Sequence, residues 1–378
     1  MSKKLKIVAD ENMPAVEAMF SGVAEVHRCA GRALSDDQLA DADVLLVRSV
    51  TQVNKELLSQ ARSLKMVGTA TIGVDHIDQA YLAAKNIPFF SAPGCNADSV
   101  VDYVLTALFA LLNHQAKDIR EQNVGIVGVG NVGGRLAARL RAMGVNVLCN
   151  DPPKQQQGGV GFVNLEYLVQ QADIICLHTP LTRKGDWPSY HLLDEQVLRN
   201  LKPGAILLNA GRGPVIDNQA LLSVKRERPD LHLVLDVWEH EPEVNDQLAS
   251  LVDIATPHIA GYSLEGKLRG TYMLRQQLSK LFALPDPKPL EAYLPAPAIF
   301  NIEISDQMSP YQIMRIVYDI YQDDRAMRKT LSGPDQPILF DTLRKNYPVR
   351  REFSSLQVTL VSGASDADYI RHLGFQVR

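Results

Sequence analysis

The sequence has 378 residues, 46% of them hydrophobic and 22% charged, with a formal net charge of −4 at pH 7. At roughly 100–200 residues per domain, that is two or three domains of ordinary globular composition. So small a charge gives no electrostatic case for nucleic acid or an anionic membrane surface. The 4 cysteines, Cys29, Cys95, Cys149 and Cys176, are scattered without a CxxC pair. A disulfide framework and a zinc site therefore lack support, no metal is expected, and a reducing, cytoplasmic compartment is the simplest expectation. Met1-Ser2-Lys3-Lys4 runs straight into a strand-like segment, so no secretory pattern is expected. The most apolar stretch, 103–112, is too short to span a bilayer and reads as a buried helix.

Up to about residue 98, short β-rich runs alternate with helical stretches. Strands are predicted at 6–9, 44–47, 66–69 and 88–91, with helices near 15–21, 55–61 and 77–85. Such alternation argues a parallel sheet covered by helices on both faces. Ser99 then begins a long apolar helix over 100–112. A second series follows, with strands predicted at 123–127, 146–150, 173–177, 205–209 and 233–237, and helices at 132–141, 165–170, 194–199 and 218–225. Parallel strands with right-handed crossovers make a complete doubly wound domain. A helix over 264–281 is placed to cross back onto the N-terminal domain. That gives a discontinuous domain of 1–98 with 259–285, around a domain of 99–258.

Pro285, Pro287, Pro289, Pro295 and Pro297 then form a stiff connector. Beyond it, 286–378 reads as a small α+β module. Its strands are predicted at 300–304 and 356–360, where apolar residues alternate with period two. Ser309-Pro310 supplies an N-cap and a first-turn proline. Ile313, Ile316, Val317 and Ile320 are expected on one apolar face of the helix that follows.

Gly128-Val129-Gly130-Asn131-Val132-Gly133 lies between a predicted strand and an amphipathic helix. The fingerprint alone is weak, but its context is right. Gly128 permits the tight turn, Gly130 lets backbone approach a pyrophosphate, and Gly133 lets helix pack on strand. The helix N-terminus offers unpaired N–H groups to the diphosphate. Asp151, at the end of the next predicted strand, can accept from both ribose hydroxyls and would repel a 2′-phosphate. NAD is therefore favoured over NADP.

Three polar residues follow predicted strand ends, where ligands collect in open α/β sheets. They are Arg212 in Asn209-Ala210-Gly211-Arg212-Gly213-Pro214, Glu241 in Asp236-Val237-Trp238-Glu239-His240-Glu241-Pro242, and His258 in Thr256-Pro257-His258-Ile259-Ala260-Gly261-Tyr262. Oxidising a 2-hydroxy acid needs an anion anchor, a base and a hydride acceptor. A guanidinium fork suits the carboxylate, and imidazole suits the proton. A neighbouring carboxylate orients the ring and stabilises the imidazolium. Singly, Arg212 reads as a salt-bridge residue, Glu241 as a solvated loop acid and His258 as a turn histidine; together, in this order, they read as catalytic. His240 competes for the base role but is less well placed. The loop at His178 is expected to line the cofactor, with Thr179 as the hydrogen-bonding residue. The Asp236 carboxylate is placed to accept from the carboxamide of nicotinamide.

At these residues the chain resembles the D-isomer-specific 2-hydroxyacid dehydrogenases over 1–285. The resemblance implies two Rossmann-like doubly wound parallel-sheet domains with a cleft between them. It makes His258 the acid/base, Glu241 its partner and Arg212 the substrate anchor. Ala210, Gly211, Arg212 and Gly261 join the glycine turn, Asn131 and Val132 included, as cofactor-binding positions. A narrower resemblance, to the branch that oxidises 4-phospho-D-erythronate in pyridoxal 5′-phosphate synthesis, rests on three motifs and the tail. The motifs are Val47-Arg48-Ser49-Val50-Thr51-Gln52-Val53-Asn54, Gly68-Thr69-Ala70-Thr71-Ile72-Gly73-Val74-Asp75-His76 and His258-Ile259-Ala260-Gly261-Tyr262. In the tail it rests on Leu343-Arg344-Lys345-Asn346-Tyr347 and Arg350-Arg351-Glu352-Phe353-Ser354-Ser355-Leu356. It implies substrate contacts from Ser49, Thr71 and Tyr262, and a homodimer formed through 286–378. Pro214 departs from the pattern, standing where relatives often carry a second glycine.

Which cations hold the phosphate stays open at this point. Arg48 is near, while Arg344, Lys345, Arg350 and Arg351 form a basic cluster read as a solvated face. The sharper alternative is that a tail arginine, Arg350 for instance, reaches a substrate site. Two other functions also remain. One is a 3-phosphoglycerate or other D-2-hydroxyacid dehydrogenase with a regulatory tail. The other is an NAD-sensing scaffold resembling the C-terminal-binding co-repressors.

Overall fold

The computed structural model describes residues 4–305, 308–331, 333–361 and 367–378. It has two compact units, Met1–Asn96 with Ser263–Ala296 and Ala97–Tyr262 with Pro297–Arg378.

The first unit is built on five strands: β1 (Leu5–Asp10), β2 (Ala24–Cys29), β3 (Val44–Val47), β4 (Met66–Thr69) and β5 (Phe89–Phe90). They pair in parallel in the order β2-β1-β3-β4-β5. Period-two alternation splits their side chains between two cores. Ile7, Ala9, Val44, Leu46 and Met66 face one side, with Leu268, Leu274 and Leu278 of the helix Leu264–Phe282. Val8, Leu45, Val47 and Val67 face the other. Strands buried on both faces read as continuous apolar runs, which is why Val-Leu-Leu-Val at β3 was easy to find. A strand expectation was missing for β2, whose Glu25, His27 and Arg28 are polar and exposed at the sheet edge. Conversely, the helix expected near 55–61 is a run of short turns. Leu58 N reaches Asn54 O, but Ser59 and Ala61 bond only three residues back. With only Leu58 buried there, nothing offsets the cost of helix nucleation.

The second unit carries β6 (Asn123–Val127), β7 (Asn146–Asn150), β8 (Ile174–Leu177), β9 (Ile206–Asn209), β10 (His232–Leu235) and β11 (Ile254–Ala255). The parallel order is β11-β10-β9-β8-β6-β7. The sixth strand, β11, is two residues long and was not expected. After β7 the chain returns to the far side of β6, so the topological switch lies between β6 and β8. The C-terminal ends of those two strands are where such sheets bind ligands. The helix Ala97–His114 is buried almost throughout, against Val124, Ile126, Ile174 and Ile206 of the sheet.

The C-terminal segment supplies a third parallel sheet of β12 (Asn301–Ile304), β13 (Gln357–Leu360) and β14 (Gln376–Val377). Its Tyr311, Ile313, Met314, Phe353 and Val358 share one core with the helix Ala97–His114. Met327 and Phe340 join the core on the other face of the six-stranded sheet. Ser309 forms a complete capping box with Gln312. The helix it starts ends at Val317, however, and Ile320 opens a new helix, Ile320–Arg328, capped by Asp319. The single apolar face expected from Ile313 to Ile320 is therefore divided between two helices.

Candidate active site

The site in the second unit is assembled from loops leaving β6, β8, β9, β10 and β11. At the end of β6, Gly128 has φ 85°. A Cβ there would lie 2.8 Å from His178 C and Thr179 N, so the glycine turn packs directly on the segment leaving β8. A Cβ on Gly133 would come within 2.0 Å of Gly128 O, which locks turn and helix together. Around Gly130 the same test finds open space within 4 Å. The helix Asn131–Ala142 starts at Gly130 without a side-chain cap, so its first N–H groups stay available for an anion. Asp151 directly follows β7 and braces the turn. Its Oδ2 accepts from Val129 N at 2.8 Å, and its Oδ1 from Lys154 N at 3.1 Å as cap of a short helix.

Beside the turn, Thr179 Oγ1 and both ring nitrogens of His178 are buried without a hydrogen-bond partner. Burial pushes the His178 imidazole down to about 4, so the ring is neutral. Orphaned donors and acceptors of this kind are rare unless a polar ligand completes them. A glycine cradle, an uncapped helix N-terminus and three unpaired polar atoms together fit a dinucleotide.

Arg212 follows β9 with extended backbone, φ −137°. The Asn209 side chain holds the turn, accepting from Gly211 N at 3.0 Å and donating to Arg212 O at 2.9 Å. A Cβ on Gly213 would lie 2.0 Å from Trp238 C and O, so this loop lies against the one leaving β10. Pro214 fits the short 3-10 turn Gly213–Val215, and its carbonyl accepts from His191 N at 2.8 Å. His191, Asp217 and Glu239 bring their ligand-type atoms within 4.8 Å of one another. Asp217 and Glu239 are meanwhile bound to the helix that starts at Asn218, through Gln219, Ala220 and Asn218 N.

Asp236 is buried and organises the loop after β11. Its Oδ1 accepts from Thr256 Oγ1 at 2.7 Å and Ile259 N at 2.8 Å, and its Oδ2 from Ala260 N at 3.0 Å. Those bonds use three of its roughly four acceptor positions. They also hold His258 at φ 57°, a costly conformation for a residue with a Cβ. In that pose His258 Nδ1 lies 2.7 Å from Glu241 Oε2. The other oxygen, Oε1, accepts from Trp238 N at 2.8 Å. Burial pushes the Glu241 carboxyl up, but His258 and Arg344 outweigh it and hold it below the usual carboxylate range. His240, the competing base, is exposed.

Gly261 and Tyr262 follow directly, and the Tyr262 ring meets Tyr347 edge-on at 5.7 Å. In the first unit, Ser49 is half-buried in the turn after β3. Thr71 Oγ1 donates to Gly73 O at 2.8 Å and pairs with Thr69 Oγ1 at 2.7 Å, which in turn lies 3.0 Å from His76 Nε2. Arg48 is buried, with Nη1 3.4 Å from Asn12 O.

The tail cations correct an expectation. Arg350 is only 6% exposed, so it does not belong to a solvated face. It donates to Ser99 Oγ at 2.6 Å and to Ala260 O, and lies 4.5 Å from the Tyr318 ring centroid. Nor is Arg344 solvated, its side chain being 10% exposed. Of the cluster only Lys345 is exposed, with Arg351 half-buried. Nothing local in Leu343-Arg344-Lys345 signals this, because the burial comes from Phe340 docking one helical turn earlier.

The sequence profile of the D-isomer-specific 2-hydroxyacid dehydrogenase NAD-binding domain matches residues 108–260, and a domain of unknown function matches 293–374. The chain is 48% identical to the erythronate-4-phosphate dehydrogenase of Shewanella sediminis over 384 residues, covering 98% of this chain and 99% of that protein. The Escherichia coli protein of the same name is 48% identical over 375 residues, covering 98% of each. Among solved structures, NAD-bound 3-phosphoglycerate dehydrogenase from Entamoeba histolytica superposes with a TM-score of 0.65. It is 23% identical and covers 74% of this chain and 96% of that one. D-lactate dehydrogenase from Aquifex aeolicus, complexed with NAD and lactic acid, gives 0.61 at 24% identity, covering 73% and 95%. Those two likenesses speak for the fold. No helix among the described residues is long and apolar enough to cross a membrane.

Proposed function

The chain belongs to the erythronate-4-phosphate dehydrogenase family, and from that premise we propose that it oxidises 4-phospho-D-erythronate to 2-oxo-3-hydroxy-4-phosphobutanoate in pyridoxal 5′-phosphate synthesis. NAD, when bound, supplies the hydride acceptor. The observation that carries the reading is the 2.7 Å pairing of His258 Nδ1 with Glu241 Oε2. A carboxylate accepting from Nδ1–H leaves the lone pair on Nε2, the tautomer a base needs. His258 Nε2 then takes the proton of the C2 hydroxyl, and ionised Glu241 stabilises the imidazolium. Arg212 anchors the substrate carboxylate through its planar fork.

Gly128, Gly130, Asn131, Val132, Gly133, Asp151, Thr179, Ala210, Gly211, Arg212, Asp236 and Gly261 hold the cofactor in this proposal. The orphaned Thr179 hydroxyl and the open space at Gly130 favour that assignment. Ser49, Thr71 and Tyr262 touch substrate. The segment 286–378 joins two copies into a homodimer, and the enzyme works in the cytoplasm.

Following NAD reduction with 4-phospho-D-erythronate beside 3-phosphoglycerate tests the reading. A kcat/KM at least tenfold higher for the first is expected, and a preference for the second sinks the substrate assignment. Replacing His258 by Gln is expected to lower kcat by about a hundredfold or more.

A further inference from the structure

The substrate proposed above carries two anions, a carboxylate and a phosphate, and Arg212 accounts for one. We propose that Arg344, from the C-terminal segment, is the cation that takes the phosphate. This inference rests on the reading that the substrate is a phosphorylated 2-hydroxy acid.

Arg344 lies in the last turn of the helix Gln336–Lys345, which is fixed against the chain that follows Glu241. Gln336 Nε2 donates to Val244 O and Asp246 Oδ1, both at 2.8 Å, and its Oε1 accepts from Val244 N at 3.2 Å. Phe340 is fully buried in the core that holds Trp238 and Val244. One turn further on, the Arg344 guanidinium lies 5.8 Å from the Phe340 ring centroid and 5.9 Å from that of Tyr262. The helix therefore delivers a cation to the residue four positions after His258.

The surroundings leave that cation incompletely paired. Its side chain is 10% exposed and its Nε is buried with no hydrogen-bond partner. The Asp341 carboxylate stands 3.8 Å away, beyond hydrogen-bond range. Burial works against the charge, and Tyr262, which also accepts a hydrogen bond from the guanidinium, and Glu241 outweigh it to keep Arg344 protonated. Glu241 already serves His258 at 2.7 Å. A buried guanidinium with an unpartnered Nε is expensive unless something completes it. A phosphate matches it, since three anionic oxygens can face the parallel donors of the fork. The neighbouring cations are otherwise placed: Arg350 is bound through Nη2 to Ser99 and Ala260 and leaves only Nη1 unpartnered, and Lys345 is exposed.

The test compares the holoenzyme with Arg344→Gln and Arg344→Lys, using 4-phospho-D-erythronate and D-erythronate. If Arg344 binds phosphate, Arg344→Gln lowers the preference for the phosphorylated acid by about 10- to 100-fold, the range of a charge-assisted hydrogen bond. The loss falls mainly in KM, and Arg344→Lys recovers part of it. Equal losses on both acids place Arg344 as a positioning residue acting through Glu241 and overturn the proposal; so does an unchanged preference. Wild-type enzyme that turns over neither acid refutes the proposed activity instead. Calorimetric titration with inorganic phosphate then decides for Arg344: binding weakened by both variants upholds the anion site, and equal affinity overturns it. Thermal melts verify that each variant is folded before either comparison.

Discussion

Replacing Glu241 by Gln isolates the contribution of one charge. The amide keeps a carbonyl oxygen to accept from Trp238 N, which Glu241 Oε1 now receives at 2.8 Å. It removes the anion that lies 2.7 Å from His258 Nδ1. Two unit charges about 4 Å apart at an effective dielectric near 20 attract by about 4 kcal/mol. Arg344 pulls on the same carboxylate, so about half of that is a fair share for the imidazolium formed as the proton leaves substrate. A loss of about 2–4 kcal/mol from the transition state is about 30- to 1000-fold in kcat. The Gln amide can also donate to Nδ1, which moves the ring proton to Nε2 and blocks the base.

Stopped-flow and steady-state turnover of 4-phospho-D-erythronate should both show the drop in kcat, with KM little moved and NADH affinity, read by fluorescence, unchanged. Glu241→Ala is the companion variant. It leaves the N–H of buried Trp238 unpaired and should also lose about 1–3 kcal/mol of stability, which Gln should not. A Gln variant within threefold of wild-type kcat would refute the argument that the carboxylate charge drives proton transfer.

Other variants probe the scaffold. Gly213→Ala puts a Cβ 2.0 Å from Trp238 backbone, which cannot yield as a side-chain tip could. Urea unfolding should show a loss of about 3 kcal/mol or more, and a change under 1 kcal/mol would mean the two loops are less tightly packed than described. His178 stays neutral in the folded protein down to about 4, against 6.5 when unfolded. Between those values only the unfolded chain takes up the proton, so stability falls as pH drops through 6.5, by at most about 3 kcal/mol. Melts of His178→Gln should show a flatter acid limb than wild type, and parallel limbs would count against it. Arg350→Met should cost about 1–3 kcal/mol in chemical unfolding by removing the buried donor that Ser99 Oγ and Ala260 O share, leaving only their own 2.9 Å bond. A rise in KM for the phosphorylated acid without loss of stability would instead return Arg350 to the substrate.

What could be read without coordinates follows from local physics. Strands β3, β4, β6 and β8 to β10 announce themselves as apolar runs buried on both faces, and the glycine turn as a demand for absent Cβ atoms. Arg212, Glu241 and His258 stand in motifs at strand ends, so chain order alone was enough to suspect them together. The strand β2 escaped because an edge strand can be polar outward, and the turns after Asn54 resembled a helix because two contacts satisfy a short periodic pattern. Arg344 escaped for a different reason. A cation near the end of an amphipathic helix reads as solvated unless one knows what the helix packs against, and that contact is made with residues about a hundred positions earlier.

Those contacts explain why the C-terminal segment and the catalytic loop are one construction. His258 keeps its strained backbone because the loop 256–262 is held from two sides. From within the sheet, Asp236 receives Thr256 Oγ1 and the N–H groups of Ile259 and Ala260. Tyr103 OH, from the buried helix, reaches Thr256 Oγ1 at 2.7 Å. From the C-terminal side, Arg350 donates to Ala260 O, while Tyr318 and Tyr347 both donate to Asp323 Oδ2, at 2.8 and 2.7 Å. Tyr347 also meets Tyr262 edge-on. Strain of order 1–3 kcal/mol at a catalytic residue persists only where surrounding bonds over-determine it. Residues beyond 297 supply one of the loop's bonds, from Arg350 to Ala260 O, and the Tyr347 ring contact, so removing that segment should loosen the His258 loop even though Arg212, Glu241 and His258 would all be kept.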